Sequence, residues 1–274
     1  MLCALLLCAG LILTSCEEFP FFDGENSEQN GNGNTGEENV GGENTGDNEY
    51  AGTMMDRNLG ATSAVPGDVG ALGLLYQWGR KDPFLGSSSI LTSTEAKSTM
   101  AWPSPVSSDS STGKISYATS HPTTFIKRNS SNQDWYYTGS SSTDNTRWTT
   151  SENTKSIYDP CPSGWRVPDG DRNGGWSKAK GSSSSFDQTY NSTNKGINFS
   201  GAFGSASTIW YTASGYRTDE GGDIKYVGLE GNYWSASPGN TYHAYRLYFN
   251  NSGRVTPSDN YFRSFGMAVR CVKE

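Results

Sequence analysis

The sequence predicts an α+β or mostly β domain of short strands and many loops, and three observations carry that reading. Glycine is abundant, 33 of 274 residues, and Ser, Asn and Thr are frequent, which disfavours long helices and favours strands joined by turns. Hydrophobic residues make up only 33% of the chain, yet there are 8 Trp, 15 Tyr and 11 Phe, so aromatic rings must supply much of any core. Apolar anchors such as LGLLYQWG (72–79), CPSGWRVP (161–168) and GNYWSAS (231–237) alternate with Ser/Thr tracts at 86–94, 138–144 and 181–185. The tracts therefore read as loops of one domain, residues 50–274, rather than as linkers.

Ahead of that domain, MLCALLLCAGLILTSC has an apolar run from Leu2 to Leu13 that is too short to span a bilayer. LTSC (Leu13, Thr14, Ser15, Cys16) resembles a bacterial lipobox, although no Lys or Arg precedes the apolar run. Residues 1–16 are thus expected to be a lipoprotein signal, with Cys16 acylated. Residues 17–49 carry ten Asp or Glu and no Lys or Arg, and almost no apolar residue after position 23, so they cannot bury enough surface to fold. They read as a disordered tether spanning roughly 30 Å. Its Gly31, Gly33 and Gly36 match a dinucleotide fingerprint only formally, because neither a strand nor a helix flanks them and carboxylates surround them.

The net charge of -7 belongs to the tether. Of the 28 acids ten lie there, leaving 18 to set against 21 bases in the folded part. Without a Lys/Arg cluster, that small positive excess gives no footprint for nucleic acid.

Within the domain, strands are expected at LLYQW (74–78), STIWYTAS (207–214), AYRLYFN (244–250) and MAVRCVK (267–273), and one helix at WSKAKG, after the acids of RVPDGDRNGGW. Alternation along AYRLYFN sends Tyr245, Leu247 and Phe249 to a core face and Ala244, Arg246, Tyr248 and Asn250 to the other. SDNYFRSF, read as the following loop, adds Asn260, Tyr261, Phe262, Arg263 and Phe265. Tyr and Arg give large contact area and a polar handle, so Arg246, Tyr248, Asn250, Tyr261, Phe262 and Arg263 are the expected ligand-binding residues. The competing reading is that such rings fill an aromatic-rich core.

Little here suggests catalysis. The two histidines, His121 and His243, have no evident partner, and HExxH, CxxC and GxSxG are absent. Cys3 and Cys8 leave with the signal and Cys16 carries lipid, so Cys161 and Cys271 remain and are expected to pair in an exported protein. That leaves no thiol nucleophile. Asp169, Asp171 and Asn173 fit the first half of a calcium loop, but Lys180 stands where the bidentate Glu is required. The bland alternative is that these acids favour the start of the next helix. No cofactor or metal is assigned.

MMDRNLGATS, LLYQWGRKDPF, YDPCPSGWRVPDG, GYR, GNYWSAS and VRCVKE, in that order across residues 53–274, resemble the FISUMP family, the major paralogous domain of exported proteins and fimbrial tip adhesins of Bacteroidetes-type bacteria. YAGTM stands in place of the strand usual before MDRNLGA, and DGDRNGGW replaces the usual acid-rich helix start. The resemblance implies a C-type-lectin-like fold, with small twisted antiparallel sheets, one or two helices, long loops and a loop-built binding face. Relatives include targets of diversity-generating retroelements, whose final strands carry hypervariable positions. What it implies is an outer-membrane, cell-surface lipoprotein whose adhesin domain binds a protein or glycan on host or neighbouring cells, with the membrane reached through lipid. The rivals are a structural or fimbria-associated subunit and, behind it, a glycan-acting enzyme.

Overall fold

The three longest strands, of eight or nine residues, follow one another in the chain and pair in that order, and shorter strands extend the sheet they build. A computed structural model describes residues 54–90, 104–128, 133–139, 144–180, 189–200 and 208–274. The signal segment, Cys16, the tether at 17–49 and the Ser/Thr tract at 181–185 lie outside the described residues.

In chain order the strands are β1 (Leu75–Gln77), β2 (Val106–Ser107), β3 (Ile126–Lys127), β4 (Trp165–Arg166), β5 (Gly196–Ser200), β6 (Thr208–Thr212) and β7 (Tyr216–Arg217). They continue with β8 (Ile224–Lys225), β9 (Glu230–Pro238), β10 (His243–Asn250), β11 (Val255–Phe262), β12 (Gly266–Ala268) and β13 (Val272–Lys273). Among the described residues two short helices, α1 (Ile115–Ser120) and α2 (Gly175–Lys180), complete the regular elements, together with one 3-10 turn at Val69–Ala71. The class is that of small β-sheets with two short helices, as the composition leads one to expect. No helix among the described residues is long and apolar enough to cross a membrane.

Seven strands make the main sheet, in the order β11-β10-β9-β12-β7-β8 with β1 also on β12. Pairing is antiparallel except between β12 and β9, where Ala268 faces Tyr233. Both faces are covered, and alternation decides which residue goes where. Leu75, Tyr233, Leu247, Phe249 and Ala268 pack on one face with Trp176 of α2 and with Ile197 and Tyr211 of the β5–β6 hairpin. Tyr76, Trp234, Ala236, Ala244 and Met267 pack on the other with Trp78, Trp148, Val167 and the two cysteines. Gly231 faces Phe249 across the β9–β10 ladder, and a Cβ there would meet that ring at 2.1 Å, so only glycine lets the ring lie flat across the strand.

With few aliphatics available, arginine stems and guanidinium groups fill the core beside the rings. Arg80, Arg147, Arg217, Arg246, Arg263 and Arg270 are all buried. The Trp78 ring carries Arg147 at 4.8 Å and Arg263 at 4.3 Å from its centroid. Four buried indole N–H groups are satisfied by main-chain carbonyls: Trp78 donates to Ser235, Trp135 to Trp78, Trp148 to Arg80 and Trp234 to Tyr76, at 2.7–3.2 Å.

Cys161 and Cys271 stand at disulfide-bonding distance, with 5.9 Å between Cα atoms. Around them the CPSGW turn is tied by Lys155, whose ammonium donates to the carbonyls of Cys161, Pro162 and Trp165. Asp159 accepts from the N–H groups of Cys161 and Val167. The last strand, β13, pairs β4, and Met54 bridges Val272, so the start of the described chain is closed onto its end.

LLYQW, STIWYTAS, AYRLYFN and WSKAKG hold β1, β6, β10 and α2 respectively. Three expectations need correction. MAVRCVK is two strands, because the chain leaves the main sheet after Ala268 so that β13 can reach β4, and Cys271 sits just before β13. SDNYF, expected in a loop, belongs to β11, whose long ladder with β10 outweighs its polar composition. Helix α1 was not foreseen: ISYATS is rich in β-branched and hydroxyl residues and its N-cap Lys114 makes no side-chain cap. Burial of Ala118 against Ile126 and Trp135 holds it instead.

Candidate functional site

The residues expected to bind a ligand, in AYRLYFN and SDNYFRSF at the closing end of the chain, converge in part. On β10, Leu247 and Phe249 turn into the core, while Arg246 and Tyr248 turn to the opposite face, away from the cover of α2. Strand β11 sets Asp259 directly across from Arg246, and β9 sets Trp234 across from it on the other side. The carboxylate Oδ2 of Asp259 accepts from Arg246 Nε at 2.9 Å and pairs with Nη2 at 2.7 Å. Asn232 Oδ1 accepts from Nη1 at 2.5 Å. The guanidinium is thereby fixed between two rings, 4.0 Å from the Tyr261 centroid and 4.8 Å from that of Tyr248.

A cleft of about 340 Å³ opens over this cluster. Arg246, Tyr248 and Tyr261 line it together with Tyr216 of β7, Tyr226 of the turn into β9 and Glu230 at the start of β9. Arg254, Asp259 and Asn260 complete the rim. The Tyr216 and Tyr226 rings stack at 5.6 Å and 27°. Tyr226 holds a positive φ of 60°, uncommon for an aromatic residue, where the chain turns from β8 into β9.

Burial raises the phenols of Tyr216, Tyr248 and Tyr261 above the ordinary tyrosine value. Burial, and after it the Glu230 charge, raises the Tyr248 phenol, and burial raises that of Tyr261. The Tyr216 phenol is pushed well above the ordinary tyrosine range by burial first and by Glu230 next. Burial likewise raises Glu230, whose carboxylate accepts from the Tyr248 hydroxyl at 3.4 Å.

The other expected contacts lie elsewhere. Asn250 shapes the β10–β11 turn: its Oδ1 accepts from the N–H groups of Ser252 and Arg254, and its amide donates to Tyr248 Oη at 3.1 Å. Phe262 packs on His243 at 4.3 Å and takes Arg128 at 5.6 Å, and it is not among the cleft's lining residues. Arg263 is the clear correction. It is 0% exposed, held over Trp78, donating to the carbonyls of His243, Asp144 and Asn240 and to Asn145 Oδ1, so it cannot touch a partner.

Tyr216, Tyr226 and Glu230 were missed by sequence reasoning. Tyr216 sits in the GYR motif already noticed, which offered a signal; Tyr226 and Glu230 carry none, since the sheet order brings them in. Of the remaining groups, His243 Nδ1 meets Asn240 Oδ1 at 2.5 Å, and His121 stacks on Tyr117 at 4.1 Å with Nδ1 3.0 Å from Ser120 Oγ. In the DGDRNG loop Asp169 is paired with Arg166 at 2.7 Å, and Asp171 Oδ1 accepts from the Asn173 N–H at 2.8 Å. The described residues contain no cluster of three His, Cys, Asp or Glu able to hold a metal.

Comparison with models of known protein families, with characterised proteins and with solved structures finds no match.

Proposed function

We infer that the chain is an exported cell-surface lipoprotein, anchored in the outer membrane through Cys16, whose FISUMP-type, C-type-lectin-like domain is a non-enzymatic adhesin. Its recognition site is the Tyr/Arg cleft on β7, β9, β10 and β11. One observation carries the reading: Arg246, Tyr248 and Tyr261, singled out from the sequence as recognition residues, line one cleft, joined there by two stacked tyrosines from elsewhere in the chain. Aromatic rings backed by a fixed guanidinium present large contact area with little rotamer entropy to lose on binding. The partner is a protein or glycan on host or neighbouring cells.

Two substitutions one residue apart test it. Tyr248→Ala should weaken adhesion to such cells by roughly 1–2 kcal/mol or more while leaving the melting temperature nearly unchanged. Leu247→Ala removes a fully buried side chain and should destabilise the fold by about 2–5 kcal/mol. Adhesion indifferent to Tyr248→Ala would refute the assignment of the cleft. The anchor is tested separately: metabolic fatty-acid labelling should disappear in Cys16→Ala, and a label that persists would place the lipid elsewhere.

A further inference from the structure

We propose that the cleft takes a neutral, hydroxyl-rich ring, a pyranose unit of a glycan, bound without a metal ion; this rests on the cleft being the recognition site. Charge narrows the class first. The lining holds Glu230 and Asp259 against Arg246 and Arg254, two of each sign, so it has no net charge with which to select an ion. The place an organic cation would take between aromatic faces is filled by the protein itself, since Arg246 lies against Tyr248 and Tyr261, and Arg254 lies 5.5 Å from the Tyr248 centroid. Nor is the Arg246 guanidinium open to an anion, because Asp259 and Asn232 take hydrogen bonds from its Nε and Nη1 and Asp259 pairs with Nη2. The same pairing commits Asp259 and leaves Glu230 as the one lining carboxylate outside an ion pair, too few for a hard cation.

What remains is aromatic surface and uncharged hydrogen bonding. Tyr226, held at a positive φ, has its ring stacked on Tyr216. The apolar C–H face of a sugar ring packs on such a surface as another hydrocarbon would, against the negative face of the ring. Sugar hydroxyls both donate and accept, and the phenols of Tyr216 and Tyr261 with the Glu230 carboxylate offer partners of both kinds. At about 340 Å³ the cleft is at the small end of ligand sites, which suits a single ring or two rather than a folded epitope.

The test uses the full-length protein in detergent, binding to intact target cells, with methyl glycosides of neutral hexoses and N-acetylhexosamines, free N-acetylneuraminic acid, and a Lys/Arg peptide as competitors. At least one neutral glycoside should displace the protein. EDTA should leave binding unchanged, and Tyr226→Ala should weaken it at least about tenfold, the loss expected of a stacking platform. Because Tyr226→Ala disturbs a tight turn, saturation-transfer NMR on the unaltered protein gives a second reading, with magnetisation passing from tyrosine rings to the C–H protons of the sugar. Binding that is lost in Tyr248→Ala yet competed only by the charged sugar or the peptide, or abolished by EDTA, overturns the pyranose and leaves the cleft as the recognition site. Binding that ignores both Tyr248→Ala and Tyr226→Ala overturns the two together.

Discussion

Reducing the Cys161–Cys271 bridge should lower the domain's stability by about 4–5 kcal/mol in the chain-entropy account, because a loop of 110 residues is released in the unfolded chain. The native state contributes as well. Cys271 leads directly into β13, which pairs β4 and is bridged by Met54, so the closing strand loses its covalent tie to the CPSGW turn. Guanidinium unfolding with and without reductant measures the effect. A midpoint that does not move on reduction, or peptide maps of exported protein showing two free thiols, would remove the bridge from the account of stability.

Asp134→Ala should cost about 3–5 kcal/mol, the range found when one member of a buried ion pair is deleted. Asp134 is 2% exposed and receives Arg147 through both of its oxygens, with Nη1 at 3.2 Å from Oδ1, while Arg263 Nη1 stands 3.8 Å from Oδ2. Removing the carboxylate leaves two buried guanidinium groups against the Trp78 ring without their shared counter-charge. The contrasting case is Asp169→Ala, which breaks the partly exposed pair with Arg166 and should cost only about 0–1 kcal/mol. Equal unfolding midpoints for the two variants would contradict the claim that arginines are structural members of this core.

Arg246 and Arg263 both stood out in the closing segment as residues for a partner. Both are buried, and they differ in what reaches them: Arg246 has Asp259 across the ladder and still borders a cleft, whereas Arg263 is enclosed by Asn240, Asp144 and Asn145. Scarcity of aliphatic side chains explains why arginine is used so. Its stem packs as hydrocarbon, and its guanidinium lies flat on the many rings.

Whatever depends on near neighbours was legible in the amino-acid sequence alone. Alternation placed Leu247 and Phe249 in the core and Arg246 and Tyr248 on the other face, because side-chain direction in a strand repeats every two residues, whereas Tyr245, expected in the core with them, is only half-buried at the register shift between Ala244 and Arg246. Elimination among five cysteines left the pair that lies at bonding distance, and the helix expected at WSKAKG is present, although its first turn holds no acid and Asp169 and Asp171 are engaged with Arg166 and the Asn173 N–H. Only the tertiary structure decided the rest. It bent MAVRCVK off the main sheet, turned SDNYF into a strand, stabilised α1 through Ala118 against its own sequence preference, and enclosed Arg263. It also assembled the second half of the cleft, since Tyr216, Tyr226 and Glu230 meet Tyr248 and Tyr261 only through the strand order β11-β10-β9-β12-β7-β8. That order is a matter of long-range pairing, a property of the whole chain that no local window of residues contains.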